Sequence, residues 1–274
     1  PLDALPMKAS GSFKIQVAIM VKLKVNNSFG ARLKSRQSLI GTIVTLSDPH
    51  VAEILYSRGF DWLFLDGEHA PLGAIHIQRI LQAVQPKCPC AVRIPANAEV
   101  YIKQTLDSGA DGIIVPRIND LAMAQQAVRY AKYHPLGERS VGISRAHGFG
   151  LQFNQYVSTA NDRTGVIVQI EHKDGVNNID AILGVKGVDA VFIGPYDLSA
   201  SLGKTGQLTD PDVVRCIHHV RDCCLAKKVP VGIFTMDAAM VRPLIDEGYM
   251  LIAVGMDTLI LGESAKRILD QTRG

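Results

Sequence analysis

Two acidic residues follow two apolar runs in the middle of the chain. Glu171 comes directly after residues 166–170, and Asp197 comes shortly after residues 190–195. A carboxylate at the end of a buried strand is costly unless a cation, a polar partner or water receives it. Two carboxylates on neighbouring strands can share one hard divalent cation, which prefers oxygen ligands. The pair therefore predicts metal-assisted chemistry on a small, oxygen-rich substrate.

A repeated pattern predicts the elements that carry these side chains. A polar amphipathic stretch, a glycine and a short apolar run recur along the chain. A glycine just past a helix supplies the left-handed closing residue, and a continuous apolar run is typical of a strand buried on both faces. The pattern predicts strands near 39–46, 61–67, 90–95, 112–117, 166–171, 189–194, 229–234 and 250–256. It predicts helices at 48–58, 74–85, 98–108, 120–132, 176–184, 211–228, 237–247 and 258–271.

Eight alternating strand and helix units predict an α/β fold, a (β/α)8 TIM barrel that forms a single domain over residues 31–274. Residues 1–30 are predicted to be an N-terminal extension outside the barrel. A doubly wound open sheet is the alternative fold. It would need a glycine-rich phosphate turn after its first strand, and residues 45–49 do not supply one.

Composition limits the classes of partner. A net charge of +3 and the lack of a basic stripe argue against nucleic acid. No apolar run reaches the ~18 residues that a membrane span needs, so we expect no membrane partner. Five cysteines without paired metal spacing indicate reduced thiols. These features together favour a cytoplasmic enzyme that acts on a small molecule.

Other polar residues also stand at predicted strand ends, where TIM barrels carry their chemistry. His69 follows the second strand and Arg93 lies near the end of the third, so both would share one rim with Glu171 and Asp197. Each has a structural alternative: His69 could be a hydrogen-bonded structural histidine, Arg93 could pair with a nearby acid, and Asp197 could cap a helix. Gln169 shares a strand face with Glu171 and could support a metal ligand, whereas His172 would project oppositely.

The predicted strands also lack the lysine that a Schiff-base aldolase would project into the barrel, apart from Lys228 at an amino end. Carbonyl activation would then fall to a metal ion that acts as a Lewis acid.

Several motifs, in this order and spacing, resemble the HpcH/HpaI aldolase family, the metal-dependent (class II) pyruvate aldolases of the phosphoenolpyruvate/pyruvate TIM-barrel superfamily. The resemblance runs from about Ala31 to the C-terminus. It rests on the motifs GFDW at 59–62, DGEH at 66–69, VRIP at 92–95, LDSGA at 106–110, PLGER at 135–139, QIE at 169–171, IGPYDLSASLG at 193–203 and VGMD at 254–257.

The resemblance implies a role for each site residue. Glu171 and Asp197 would bind a divalent ion such as Mg²⁺, Mn²⁺ or Co²⁺, and Arg93 would stabilise an enolate at the keto oxygen of pyruvate. His69, oriented by Asp107, would transfer a proton. The substrate would contact Arg93, Gln169, Tyr196 and Asp197, although Tyr196 replaces the small residue that is common in the family. The resemblance also implies a homohexamer, a trimer of dimers that exchange their last barrel helix.

The implied function is the reversible cleavage of a 4-hydroxy-2-oxo acid to pyruvate and an aldehyde. Other uses of a pyruvate enolate remain open: oxaloacetate decarboxylation, acyl-CoA cleavage or an enolate-addition synthase. A barrel that senses a metal without catalysis is a further alternative. The sequence does not identify the aldehyde. We expect the long loop at 133–165 to lie over the active face, where Arg139 and Arg145 could bind a second carboxylate or could be solvated loop charges.

Overall fold

Eight parallel strands form a closed barrel in which each strand pairs with the next and the last pairs with the first. The computed structural model describes residues 28–273. The strands are β1 (Leu39–Val44), β2 (Trp62–Asp66), β3 (Cys90–Arg93), β4 (Gly112–Val115), β5 (Gly165–Ile170), β6 (Ala190–Ile193), β7 (Val231–Thr235) and β8 (Leu251–Met256). The predicted TIM barrel and its eight strands are confirmed.

Helices connect the strands on the outside of the barrel. They are α1 (Phe29–Lys34), α2 (Pro49–Ser57), α3 (Ala74–Val84), α4 (Glu99–Asp107), α5 (Leu121–Ala131), α6 (Phe153–Arg163), α7 (Lys173–Asn177), α8 (Ile179–Leu183), α9 (Pro195–Ser201), α10 (Pro211–Ala226), α11 (Val241–Asp246) and α12 (Asp257–Arg273). Short 3₁₀ helices span Arg145–His147 and Ala238–Met240. No helix between residues 28 and 273 combines the length and apolar character that a membrane crossing requires.

The helices differ from the prediction in three places. The helix expected at 176–184 is divided into α7 and α8, the expected loop at 133–165 contains α6, and the unpredicted α9 follows β6. In addition, α1 begins before residue 31, and its Phe29 is buried in the barrel core. Residues 1–27 of the predicted N-terminal extension lie outside the described residues.

The barrel core is filled by large apolar side chains that alternate strands direct inward. Trp62 and Phe64 from β2 meet Phe192 from β6, and the Phe64 and Phe192 rings contact edge to face with centroids 5.5 Å apart. Phe29 closes the amino end of this core, with its ring centroid 6.1 Å from that of Trp62. Because every residue of β5 is buried, its continuous apolar run is explained by packing on both faces.

The strand register brings polar residues together at the carboxyl-terminal rim. Asp66 at the end of β2 is the partner of Arg93 at the end of β3. Ile170 on β5 is likewise the partner of Ile193 on β6. Glu171 and Gly194, which follow these two residues, therefore leave the sheet side by side.

The loop between α5 and β5 lies at the opposite, amino-terminal rim, so its predicted position over the active face is wrong. The reason is topological: α5 returns the chain from the carboxyl ends of the strands to their amino ends. Arg145 in this loop donates from Nη1 to the carbonyl of Ser108 (2.8 Å) and to Gln85 Oε1 (3.0 Å). These residues border a cleft of about 890 Å³ at this rim.

A buried lysine ties this amino-terminal rim together. Lys132, whose side chain is 1% exposed, donates from Nζ to the carbonyls of Asn161 (2.9 Å) and Thr164 (2.6 Å) and to Asp189 Oδ2 (2.8 Å). The same Asp189 oxygen accepts the backbone N–H of Val166 at the start of β5. One cation thus joins the segments that enter β5 and β6.

Replacing this cation should destabilise the fold. Lys132→Met leaves Asp189 buried without its counter-ion, and breaking such a pair costs about 3–5 kcal/mol. The matched control is Lys266→Met, which removes an exposed pair with Asp270 and should change stability by less than about 1 kcal/mol. Urea unfolding followed by circular dichroism measures both. Equal unfolding midpoints for the two variants would contradict the structural role of Lys132.

Candidate active site

A buried ion pair fixes the guanidinium of Arg93 at the carboxyl-terminal rim. Arg93 Nε donates to Asp66 Oδ1 (3.0 Å) and Nη2 donates to Asp66 Oδ2 (2.7 Å). The guanidinium also lies over the Phe64 ring, 5.2 Å from its centroid. Burial acts to raise the pKa of Asp66, but the hydrogen bonds and charge of Arg93 outweigh it and hold that pKa below its usual value. The pair is therefore ionised, with a geometry set by two bonds.

Glu68 is a second acid beside Arg93 and was not among the predicted site residues. Its Oε2 atom lies 3.3 Å from Arg93 Nε and 3.7 Å from His69 Nε2. That buried oxygen makes no hydrogen bond of good geometry within residues 28–273. Burial raises the pKa of Glu68, and the negative charge of Glu171 adds to the shift. The DGEH motif at 66–69 was the sequence feature that could have pointed to Glu68, because its Asp66 and Glu68 both contact Arg93.

Glu171 is buried at the rim and held from two sides. Its Oε1 accepts the backbone N–H of Arg117 (2.7 Å), and its Oε2 accepts a hydrogen bond from the side-chain amide of Gln169. Burial raises the pKa of Glu171, and the charge of nearby Asp197 contributes in the same direction. The expected contact between Gln169 and Glu171 is thus present, while Gln169 Oε1 is buried without a partner in the described chain.

The backbone that holds Glu171 has an unusual conformation. Arg117 follows β4 with a φ of +53°, which a non-glycine residue adopts only at an energetic cost. The next N–H, that of Ile118, donates to the carbonyl of Gln169 (3.1 Å). These two bonds fasten the end of β4 to the end of β5 and aim one N–H at the carboxylate. The sequence alone gave no signal of this backbone role.

Asp197 lies in the first turn of α9 and is exposed at the rim. Gly194, directly after β6, leaves space for its neighbour: an added Cβ would lie 2.9 Å from both Cβ and Oε2 of Glu171. Tyr196 is partly exposed, and its ring centroid is 6.5 Å from that of Phe234. The absence of a side chain at residue 194 therefore allows the two acidic segments to approach each other.

The two carboxylates fit a divalent cation. A buried carboxylate whose pKa is raised by burial and by a like charge is stabilised when a cation lies between the two acids. Within residues 28–273, no group of three or more His, Cys, Asp and Glu side chains is arranged to hold a metal ion. An ion at Glu171 and Asp197 would therefore have two protein ligands, and it would complete its shell with water and substrate, as Mg²⁺ commonly does.

Comparisons with known proteins agree with this fold. The sequence model of the HpcH/HpaI aldolase/citrate lyase family matches residues 39–263. The chain belongs to this family. It is 41% identical over 250 residues to a hydroxypyruvate/pyruvate aldolase of Roseobacter denitrificans, covering 88% of this chain and 95% of that protein. It is 38% identical over 246 residues to a 5-keto-4-deoxy-D-glucarate aldolase of Escherichia coli, covering 89% and 96%.

Among solved structures, the chain is similar to an HpcH/HpaI aldolase/citrate lyase family protein from Burkholderia cenocepacia. The TM-score is 0.86 at 35% identity, covering 89% of this chain and 98% of that structure. As a member of the HpcH/HpaI family with close aldolase relatives, the chain is an enzyme, a carbon–carbon lyase. Every rim residue described above lies within the segment that the family model matches.

The structure brings most predicted site residues to one rim. His69 is there with 62% of its side chain exposed, and its backbone N–H donates to Asp66 Oδ1. His172 turns aside, as expected, and its Nδ1 accepts the N–H of Asp174 at the start of α7. His69, and not His172, therefore places an exposed imidazole beside Glu68.

The orientation of His69 by Asp107 stays a prediction, because within residues 28–273 of one chain Asp107 contacts Arg139 and not His69. Asp107 ends α4, and α4 runs from the carboxyl-terminal rim to the amino-terminal rim. There Asp107 Oδ1 accepts a hydrogen bond from Arg139 Nη2 (2.7 Å). Arg139 is buried between Tyr133 and Tyr156, so it is not a solvated loop charge. The alternative in which Arg139 or Arg145 binds a substrate carboxylate is wrong as well, because both residues lie on the opposite face of the barrel.

Filling the space at residue 194 should disturb the candidate metal site. Gly194→Ala pushes against Glu171 and should weaken Mn²⁺ binding about tenfold or more, because misplaced ligands lose affinity. Gly142→Ala is the matched control, since its added Cβ meets nothing within 4 Å. Electron paramagnetic resonance of free Mn²⁺ measures the affinity, and thermal melting confirms folding. Wild-type affinity in folded Gly194→Ala would contradict the proposed position of the ion.

Proposed function

We propose that the enzyme catalyses the divalent-metal-dependent, reversible aldol cleavage of a 4-hydroxy-2-oxo acid to pyruvate and an aldehyde. The observation that carries this proposal is the convergence of Glu171, Asp197 and Arg93 at one rim of the barrel. It is supported by the family, and by relatives that are named hydroxypyruvate/pyruvate aldolase and 5-keto-4-deoxy-D-glucarate aldolase.

The metal would be held by Glu171 and Asp197, with Mg²⁺, Mn²⁺ or Co²⁺ as candidates that suit carboxylate oxygens. When bound, such an ion supplies Lewis-acid polarisation of the keto group. Gln169 and the N–H of Arg117 keep Glu171 in place. The protein's contribution at this position is thus a pre-set carboxylate, which avoids reorganisation during the reaction.

Arg93 would stabilise the negative charge that cleavage develops on the keto oxygen. Asp66 engages two of the five guanidinium N–H donors, which leaves the other donors for substrate oxygens. Burial acts to lower the pKa of Arg93, but its hydrogen bonds to Asp66 and the charges of Asp66, Glu68 and Glu171 raise it above its usual value. The guanidinium therefore stays charged throughout the reaction.

His69 would exchange the proton of the substrate hydroxyl. Its imidazole is exposed at the rim beside Glu68, and histidine is the side chain that most often serves as a general acid and base. Gln169, Tyr196 and Asp197 would line the pyruvate side of the pocket. The orientation of His69 by Asp107 stays a prediction.

An aldol assay with controlled metal content tests the function. Purified protein is incubated with pyruvate or hydroxypyruvate, a panel of aldehydes and Mg²⁺, Mn²⁺ or Co²⁺, and adducts are measured by chromatography. We expect adducts whose formation stops with EDTA and returns when the metal is restored. Glu171→Gln should lose activity about 100-fold or more, whereas the exposed control Asp174→Asn should retain it.

Two results would contradict the proposal. Full activity after complete chelation would exclude the metal mechanism. Oxaloacetate decarboxylation without any aldol adduct would favour another use of the same pyruvate enolate.

We further propose that the enzyme is a homohexamer, a trimer of dimers that exchange α12. The packing of α12 supports this, because Asp257 is its only buried residue in the described part of the helix. Leu259, Ile260, Leu261, Ile268 and Leu269 are all exposed. A helix that leaves five large apolar side chains in solvent needs a second surface to cover them.

The mass in solution tests this assembly. We expect light scattering coupled to size exclusion to give about six times the chain mass of 29.7 kDa. A charge placed on an apolar contact should split the assembly, so Leu261→Asp combined with Ile268→Asp should lower the mass. Gln271→Asp is the control on the same helix. A monomeric wild-type protein would overturn the proposed assembly.

A further inference from the structure

A large cleft lies at the amino-terminal rim, on the face of the barrel opposite the candidate active site. It is the cleft of about 890 Å³ that Arg145 borders, and this volume is in the range of pockets that bind small molecules. Its walls include the segments that lead into three neighbouring strands, residues 85–89 before β3, 109–111 before β4 and 163–164 before β5. The described lining residues include none from the carboxyl-terminal rim, so this cleft is separate from the candidate active site.

The cleft carries more positive than negative charge. Its described lining includes four cations and one acid: Arg32, Lys87, Arg145, Arg163 and Asp111. Arg32 has a counter-ion, because its Nη2 lies 3.4 Å from Asp61 Oδ1. Within residues 28–273, the side chains of Lys87 and Arg163 form no hydrogen bond and no ion pair. At least two of these cations are therefore available to a ligand.

Arg145 is held in the wall of the cleft without a carboxylate partner. In the described chain its side chain donates to the carbonyl of Ser108 and to Gln85 Oε1, and both of these acceptors are uncharged. Gly109 makes room for this arrangement, since an added Cβ there would lie 2.6 Å from Arg145 Nη1. Burial lowers the pKa of Arg145 and outweighs the charge of Asp111. An anion bound in the cleft would relieve this cost, because it would give the half-buried guanidinium a close counter-ion.

Asp111, the acid of the lining, is engaged by the protein itself. Its Oδ2 accepts hydrogen bonds from the side-chain amide of Gln85 (2.8 Å) and from the backbone N–H of Cys90 (3.0 Å). Burial raises the pKa of Asp111, although these two bonds and the charges of Arg163 and Arg145 act in the opposite direction. No cation within residues 28–273 forms an ion pair with this carboxylate. Asp111 thus joins the segments that enter β3 and β4, and it leaves the guanidinium groups of the cleft free to bind an anion.

We infer that this cleft binds a small organic oxyanion with at least two anionic groups, and that Arg145, Arg163 and Lys87 are its cationic partners. A guanidinium suits both phosphate and carboxylate, because each can accept two parallel hydrogen bonds from it. Several cations without counter-ions around one cleft favour a ligand with more than one charge. The site is independent of the proposed aldol function, since it shares no residue with the candidate active site.

Calorimetric titration of the metal-free protein tests the inference. The probes are pyrophosphate and tricarballylate, which carry several negative charges on phosphate and on carboxylate groups respectively. We expect saturable binding of at least one probe: pyrophosphate alone would indicate a phosphorylated ligand, and tricarballylate alone would indicate a polycarboxylate. Arg163→Gln should weaken binding about tenfold or more, because a hydrogen bond to a charged group is lost. Its melting temperature should stay unchanged, since this side chain has no hydrogen-bond or ion-pair partner within residues 28–273.

Further variants separate the cleft from other sources of binding. Lys87→Gln should also weaken binding without a loss of stability. Lys186→Gln is the matched control: it removes another exposed cation at the amino-terminal rim, before β6 and outside the described lining of the cleft, and should bind as wild type does. Arg93→Gln removes the cation of the candidate active site and should likewise leave the affinity unchanged.

Three results would overturn the inference. The first is the absence of saturable binding for both probes. The second is an equal loss of affinity in Lys186→Gln and Arg163→Gln, which would show a general attraction to the basic rim. The third is a loss in Arg93→Gln with wild-type affinity in Arg163→Gln, which would put the anion in the candidate active site. None of these results depends on adduct formation, so a failure here is distinguishable from a failure of the proposed aldol function.

Discussion

The site depends on one buried carboxylate that the fold holds at the mouth of the barrel. Glu171 leaves β5 where two neighbouring groups reach it, the N–H of Arg117 from the end of β4 and the amide of Gln169 from its own strand. These bonds favour the charged form, but burial and the charge of Asp197 outweigh them and raise its pKa. A divalent cation shared with Asp197 would resolve this conflict, because it neutralises both acids. Glu171 and Asp197 thus repel each other in the protein, and this makes the pair well suited to bind a metal ion.

Arg93, the cation at the rim, differs from Glu171 because its counter-ion belongs to the protein. Arg93 is largely buried and is matched by Asp66 on the adjacent strand, where the register makes the two residues direct partners. This pair fixes the guanidinium plane before any substrate arrives. Glu68 is a second carboxylate beside Arg93, so the guanidinium has two acidic neighbours. Such pre-organisation directs hydrogen-bond donors to the place where charge develops, which is how oxyanions are usually stabilised. A single βαβ unit therefore supplies both the donor and the acid that orients it.

The sequence predicted the barrel well because its strands are buried on both faces and therefore read as continuous apolar runs, as β5 and β6 do. Glu171, Arg93 and His69 could be located for the same reason, since a polar residue at the end of such a run marks the rim. The direction of the connecting helices decides which rim a loop residue occupies. Asp107 ends a helix that returns to the amino-terminal face, where Arg139 takes it as a partner. The loop after α5 lies on that face for the same reason. The backbone role of Arg117 could not be assigned, because it depends on a neighbour that is distant in sequence and on a φ value that no residue type reveals.

Anomalous X-ray scattering from crystals grown with Mn²⁺ and pyruvate tests the central claim most directly. The account predicts one strong anomalous peak between the carboxylates of Glu171 and Asp197, with the keto acid bound to that ion on the side of Arg93. A peak at another site, or pyruvate bound at the rim with no anomalous signal beside Glu171, would contradict it.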